Sequence, residues 1–216
     1  MSFRNIRRWI FALGLFFLLG LLLRGTLRAQ GSITAMAVRG CTDVLTNGDF
    51  EGTGGWIEYS RSGASLISNF PPPSGAYHSG ERGAYLGDDN NAHDYIAQTV
   101  EIPGNAMSVT LSYWWQVESD EDPAVPGDFL TVTVDSPLGT VLAAVDTLSS
   151  ANAGTTWQEH RIDLSAYRGR RITLRFDVRT DASLPTAFFL DDIALDVCTP
   201  APTSAVHVYL PWMTTR

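Results

Sequence analysis

Ser108-Val-Thr-Leu-Ser-Tyr-Trp-Trp-Gln-Val-Glu118 decides the fold. Val109, Leu111, Tyr113, Trp115 and Val117 take every second position, and Ser108, Thr110, Ser112, Trp114, Gln116 and Glu118 fill the gaps. A period of two is that of an extended strand with one face in a core and the other in water. Arg171 to Arg179 repeats it, with Ile172, Leu174, Phe176 and Val178 against Thr173, Arg175, Asp177 and Arg179. Between Gly, Pro, Asn and Asp clusters, the same reading places further strands near Leu45–Glu51, Ser65–Phe70, Gly83–Leu86, Tyr95–Ile102, Phe129–Asp135, Val141–Thr147, Gln158–Leu164 and Phe188–Val197. No long stretch has helical period. About ten strands in one domain predict an all-β antiparallel sandwich of the jelly-roll kind, with a seven-stranded immunoglobulin sandwich as the weaker option.

Composition agrees with one core. The chain has 216 residues, 44% hydrophobic and 18% charged, which excludes disorder and collagen-like repeats. All 15 basic residues are arginine, and five of them lie in the first 28 positions. The rest of the chain therefore sets ten arginines against all 23 acids, a balance that predicts no nucleic-acid partner.

Arg4, Arg7 and Arg8 precede an apolar run from Trp9 to Leu23, closed by Arg24. As a helix the run would reach about 22 Å, short of the ~30 Å needed to span a bilayer. Residues 1–37 thus read as a cleaved export signal, with an uncleaved anchor as the alternative and the only route to a membrane. The expected location is secreted or cell-surface. Cys41 and Cys198 lie near the two ends of the body, and in an oxidising compartment they are expected to form a bridge. The sandwich is assigned to 41–198. Residues 199–216 begin as a Pro/Thr/Ala linker and end in an apolar tail, His207 to Trp212.

Several segments, in order, are familiar: Asn47-Gly-Asp-Phe-Glu51 before Trp56, Gly83-Ala-Tyr-Leu-Gly87, Gln98-Thr-Val-Glu-Ile-Pro103, Trp157 leading to Ile162-Asp-Leu-Ser165, and Phe188-Phe-Leu-Asp-Asp-Ile-Ala-Leu195. The series resembles MAM-like jelly rolls, the non-catalytic β-domains attached to secreted bacterial metallopeptidases of the immune inhibitor A type. More loosely, it resembles jelly-roll carbohydrate-binding modules. The resemblance implies a calcium-stabilised sandwich used for adhesion or glycan binding, and no chemistry. The peptidase itself would need His-Glu-x-x-His, which the sequence lacks, and His78, His93, His160 and His207 are scattered without ligand spacing.

Alternation along the last strand groups Asp191 with Phe189, Ile193 and Leu195 and so predicts an inward carboxylate, which is costly without a cation beside it. Glu51 follows the first expected strand, which the bridge would set beside the last. The resemblance assigns a cation site to the corresponding Glu and Asp, so Glu51 and Asp191 are the candidate Ca2+ ligands, with Asp49 and Asp192 in support. Capping of loop amides, or pairing with an arginine, is the competing reading. Asp88, Asp89 and Asp94 form a second candidate loop. Glu118, Asp120, Glu121 and Asp122 before Pro123 lack EF-hand spacing and read as solvated.

Trp114 falls on the water-facing side of its strand, with Gln116. If Arg175, Asp177 and Arg179 pair beside it, the cluster makes an aromatic platform with hydrogen-bonding flanks, suited to a polysaccharide or cell-surface glycan. A cross-strand ladder of stacked arginine and tryptophan is the alternative. Trp56 and Trp157 read as core or sheet-edge packing. No Gly-x-Ser-x-Gly elbow or phosphate loop occurs, so the chain reads as non-catalytic. Three functions stand in order: a glycan-binding module, a structural or adhesive surface domain with protein partners, and a small hydrolase. The sequence sets no oligomeric state.

Overall fold

The computed structural model describes residues 39–201. The expected export segment at 1–37 and the tail beyond residue 201 lie outside them. The described residues form an all-β sandwich of two antiparallel sheets. Its strands are β1 (Arg39–Asp43), β2 (Ile57–Ser60), β3 (Ile67–Ser68), β4 (Gly83–Gly87), β5 (His93–Glu101), β6 (Ser108–Ser119), β7 (Phe129–Asp135), β8 (Val141–Ser149), β9 (Gln158–Asp163), β10 (Arg171–Arg179) and β11 (Thr186–Pro200).

The first sheet runs β3-β4-β11-β6-β9, with β1 also paired to β11, and the second runs β2-β5-β10-β7-β8. From β4 to β7 each strand crosses to the other sheet. The apolar stripes of β6 and β10 therefore face one another across the core. Val109, Leu111, Tyr113 and Val117 pack from one side and Ile172, Leu174, Phe176 and Val178 from the other, all eight fully buried. The Tyr113 ring meets Phe176 edge-on at 5.2 Å, and its hydroxyl donates to Asp146 Oδ2 at 2.7 Å. His160 Nδ1 lies 2.5 Å from the same oxygen, so this polar group ties β6 and β9 of one sheet to β8 of the other.

Three details differ from the sequence reading. Leu45–Glu51 is a turn, because Asn47 and Phe50 adopt φ of 57° and 58°, and the first strand lies earlier, at β1. Ile57–Ser60 forms an edge strand with an irregular, exposed pattern that periodicity does not mark. The third concerns β11. Asp191 pairs with Trp114 and Ala194 with Ser112, so Asp192 and Ile193 together oppose Tyr113 alone. This β-bulge, with Asp192 at φ 45°, resets the alternation. Ile193, Leu195 and Val197 enter the core, whereas Phe189 and Asp191, before the bulge, point out of the sandwich. The expected inward placement of Asp191 is corrected accordingly.

β1 pairs with the end of β11 in a register that sets Cys41 opposite Cys198, and the two form a disulfide.

Candidate functional site

Trp114 and Gln116 lie on the outer face of the first sheet, and Arg175, Asp177 and Arg179 on the outer face of the second. The sandwich stands between them. The single platform expected from the sequence is therefore not assembled.

The outer face around Trp114 is covered. The β3–β4 connection folds across it, and Tyr77, Ala187 and Phe189 form a second apolar cluster there with Tyr85 and Trp157 packed against it. Ser74 donates its amide to Gln116 Oε1 at 3.1 Å, and Trp157 Nε1 donates to Ala76 O at 3.0 Å. Gln116 is fully buried. His78 stacks on Trp114 at 3.7 Å between ring centroids. The indole thus has a protein partner where a sugar ring would lie.

The same connection receives the candidate metal ligands. Glu51 Oε1 accepts the amides of Glu81 and Arg82, each at 2.8 Å. Asp191 Oδ2 accepts the amide of Ser79 at 2.9 Å, and Asp191 Oδ1 accepts that of Asp192 at 2.7 Å. The two carboxylates thereby converge on one turn, 79–82. Gly80, at φ +57°, leaves Glu51 room that a Cβ would fill. Asp192 binds the Ser79 hydroxyl at 2.8 Å and the His78 ring at 2.5 Å, while Asp49 lines a shallow depression with Asp43 and Asp192. Asp191 is fully buried, and among the described residues no arginine or histidine pairs with it within 4.0 Å. Burial, reinforced by Asp192, pushes its carboxyl up to about 7, against the smaller pull of the Ser79 and Asp192 amides and of His78. These four acids do not bring three carboxylate oxygens within 4.8 Å of one another. Carbonyl and water oxygens would have to complete any calcium shell.

The outer face of the second sheet is open. Phe129, Thr131 and Thr133 of β7, Gly139 and Val141 at the β7–β8 turn, and Arg175, Asp177 and Arg179 of β10 line a groove of about 500 Å3. Its floor is preset by charge. Arg175 Nε lies 2.9 Å from the fully buried Asp135 carboxylate, and its guanidinium stands 4.6 Å over the Tyr95 ring. Arg179 Nε donates to Asp177 Oδ1 at 3.1 Å, and Asp177 Oδ2 lies 3.1 Å from His93 Nε2. Tyr59 stacks on Tyr95 at 5.0 Å and continues the aromatic surface toward β2. Of the ladder alternative, the Arg179–Asp177 contact is present, but the arginine that stacks does so on Tyr95. Sequence alternation had marked the face and named its three charged residues. It did not bring Tyr95 and Val141 to this face, and Tyr59, a candidate lining residue with Tyr77 and Tyr85, could not be placed, because which strands flank β10 depends on sheet order.

No protein-family model matches the chain. Over 128 residues it is 28% identical to the Pre-pro-metalloprotease PrtV of Vibrio cholerae serotype O1, a match spanning 55% of this chain and 13% of that protein. Among solved structures it is similar to TmCBM61, determined in complex with beta-1,4-galactotriose. The sequence identity is 21%, the TM-score 0.52, and the match covers 71% of this chain and 97% of that one. That likeness is one of fold, the two-sheet sandwich of a carbohydrate-binding module.

Proposed function

We propose that the chain is an exported, non-catalytic carbohydrate-binding module whose glycan site is the groove on the second sheet. The observation that carries this reading is the open groove itself, which Phe129 and Val141 line with apolar surface and Arg175, Asp177 and Arg179 with hydrogen-bonding groups. A sugar presents a C–H face to the first and hydroxyls to the second. The disulfide supports an oxidising, extracytoplasmic setting, as does the arginine-led apolar segment at the N-terminus. The fold it shares with TmCBM61 and the partial match to a metalloprotease accord with an accessory domain that holds a larger activity near its substrate.

Affinity electrophoresis through gels containing galactan, xylan, mannan or β-glucan tests the reading. The parent is expected to be retarded in at least one gel. Phe129→Ala and Arg179→Ala, both at exposed side chains, are each expected to weaken retention about tenfold, equivalent to about 1.4 kcal/mol. Arg175 is a poor choice of variant, since its removal leaves buried Asp135 unpaired. Lack of retardation in every gel would overturn the glycan reading and turn attention to protein partners.

Calcium is proposed as a structural ion at the 79–82 turn, between Glu51 and Asp191. The buried Asp191 carboxyl, with no cationic side chain paired to it among the described residues, supports it. A ligand of the folded state stabilises by about 2.7 kcal/mol at a hundredfold excess over its dissociation constant. Calcium is therefore expected to raise the melting temperature by several degrees over chelator, at roughly 2–4 °C per kcal/mol. Glu51→Gln and Asp191→Asn are each expected to shrink that rise. An unchanged rise in both would leave the turn held by amide capping alone.

A further inference from the structure

A second cluster of carboxylates lies in the loops that join β6 to β7 and β10 to β11. Glu121 and Asp128 of the β6–β7 loop and Asp181 of the β10–β11 loop, distant from both in sequence, each bring one oxygen within 4.8 Å of the others. Hydrogen bonding leaves one oxygen free on each. Glu121 Oε2 accepts the Gly127 amide at 3.0 Å, Asp128 Oδ1 accepts the Asp181 amide at 2.7 Å, and Asp181 Oδ1 accepts the Ser183 amide at 2.7 Å and its hydroxyl at 2.8 Å. The other oxygens, Glu121 Oε1, Asp128 Oδ2 and Asp181 Oδ2, accept no hydrogen bond among the described residues.

Asp128 makes the cluster more than a patch of surface acids. It is fully buried, and its Oδ2 has no hydrogen-bond partner. Leaving a buried carboxylate oxygen unpaired is costly, and two further carboxylates alongside add repulsion. No arginine or histidine among the described residues pairs with any of the three within 4.0 Å. Gly127 keeps the approach clear, since a Cβ there would run into the free oxygens of Glu121 and Asp181. Burial raises the Asp128 carboxyl, the Glu121 and Asp181 charges add to the rise, and the Asp181 amide offsets it only in part.

We propose that Glu121, Asp128 and Asp181 bind a hard divalent cation of the calcium class, at a site separate from the 79–82 turn. Three carboxylates supply anionic oxygens, and carbonyls and waters of the exposed loops complete the six to eight ligands that calcium takes. A thiophilic or imidazole-seeking metal finds neither sulfur nor histidine in the set. Bound there, the ion cross-links two loops that hydrogen bonds alone now join through the Asp128–Asp181 contact. It thereby fixes the start of β7 and the end of β10.

Hydrogen exchange of the full chain, read by mass spectrometry in millimolar calcium and in chelator, tests the site. Peptides covering 120–128 and 180–185 are expected to exchange at least about tenfold more slowly with calcium, because binding opposes local opening. Glu121→Gln and Asp128→Asn should abolish that slowing, whereas Asp191→Asn, which alters the other turn, should preserve it. Glu121 sits in a surface loop, so its variant carries the test even if Asp128→Asn fails to fold. Equal exchange with and without calcium in the parent, or slowing that survives in Glu121→Gln, would overturn the assignment.

Discussion

Replacing Cys41 and Cys198 by alanine is expected to lower the melting temperature of the protein by about 10–20 °C. The bridge joins residues 157 apart in sequence, and closing so long a loop removes about 5 kcal/mol of unfolded-chain entropy on the chain-entropy account. At roughly 2–4 °C per kcal/mol for a domain of this size, the shift follows. The native contacts around the bridge are modest, since β1 pairs with β11 alone and its residues from Gly40 on lie at the surface or only partly covered. The double variant should therefore keep the sandwich and the groove at low temperature. A calorimetric scan of the parent, oxidised and reduced, beside the variant would measure this. A shift below a few degrees would mean that β1 is held by its strand pairing and the bridge adds little.

The second large effect concerns pH. With chelator present, stability is expected to fall as pH rises from about 4 to about 7. Asp128, raised by burial, acts in this sense, and Asp191 contributes most legibly, because burial raises its carboxyl from 3.8 to about 7 in the folded state. Within that window the folded protein still holds the proton that the unfolded chain has released, so stability declines with rising pH. The full difference is about three units, or about 4 kcal/mol at most, on the order of 10 °C in melting temperature. Asp146 acts in the opposite sense but elsewhere. Burial would raise its carboxyl, yet the Tyr113 hydroxyl, the His160 ring and the Thr147 amide hold it below 3.8. Its contribution is lost only in more acid solution. Asp191→Asn should flatten the slope between pH 4 and 7. Thermal melts across that range, parent against variant, decide the matter, and a parent whose stability rises over the window would refute the role given to Asp191.

Strands with one face in the core were legible in the sequence. β6 and β10 stand almost where alternation puts them, because the core on one side imposes a period of two, although the outer face of β6 is covered and only that of β10 is open. The polar face of β10 was legible for the same reason, and it forms part of the groove. The cover over Trp114 was not legible, because it comes from the β3–β4 connection, whose prolines and glycines carry no period. Asp191 was misread because two residues at a bulge invert the count, and nothing in Leu190-Asp-Asp-Ile193 announces that. The Glu121, Asp128 and Asp181 cluster escaped because its members come from two loops far apart in sequence. Glu121 by itself was one of four solvated acids, the burial of Asp128 seven residues on carries no sequence signal, and only the fold brings Asp181 to them.

The central claim is that the second sheet, and not the Trp114 face, receives glycan. Titrating isotope-labelled protein with the oligosaccharide that retards it best, and following backbone amide resonances, tests this most directly. The account predicts shifts concentrated at Phe129, Thr131, Thr133, Arg175, Asp177 and Arg179, with His78, Trp114 and Trp157 undisturbed. Shifts centred on Trp114 and the connection above it would contradict the account and return the site to the first sheet.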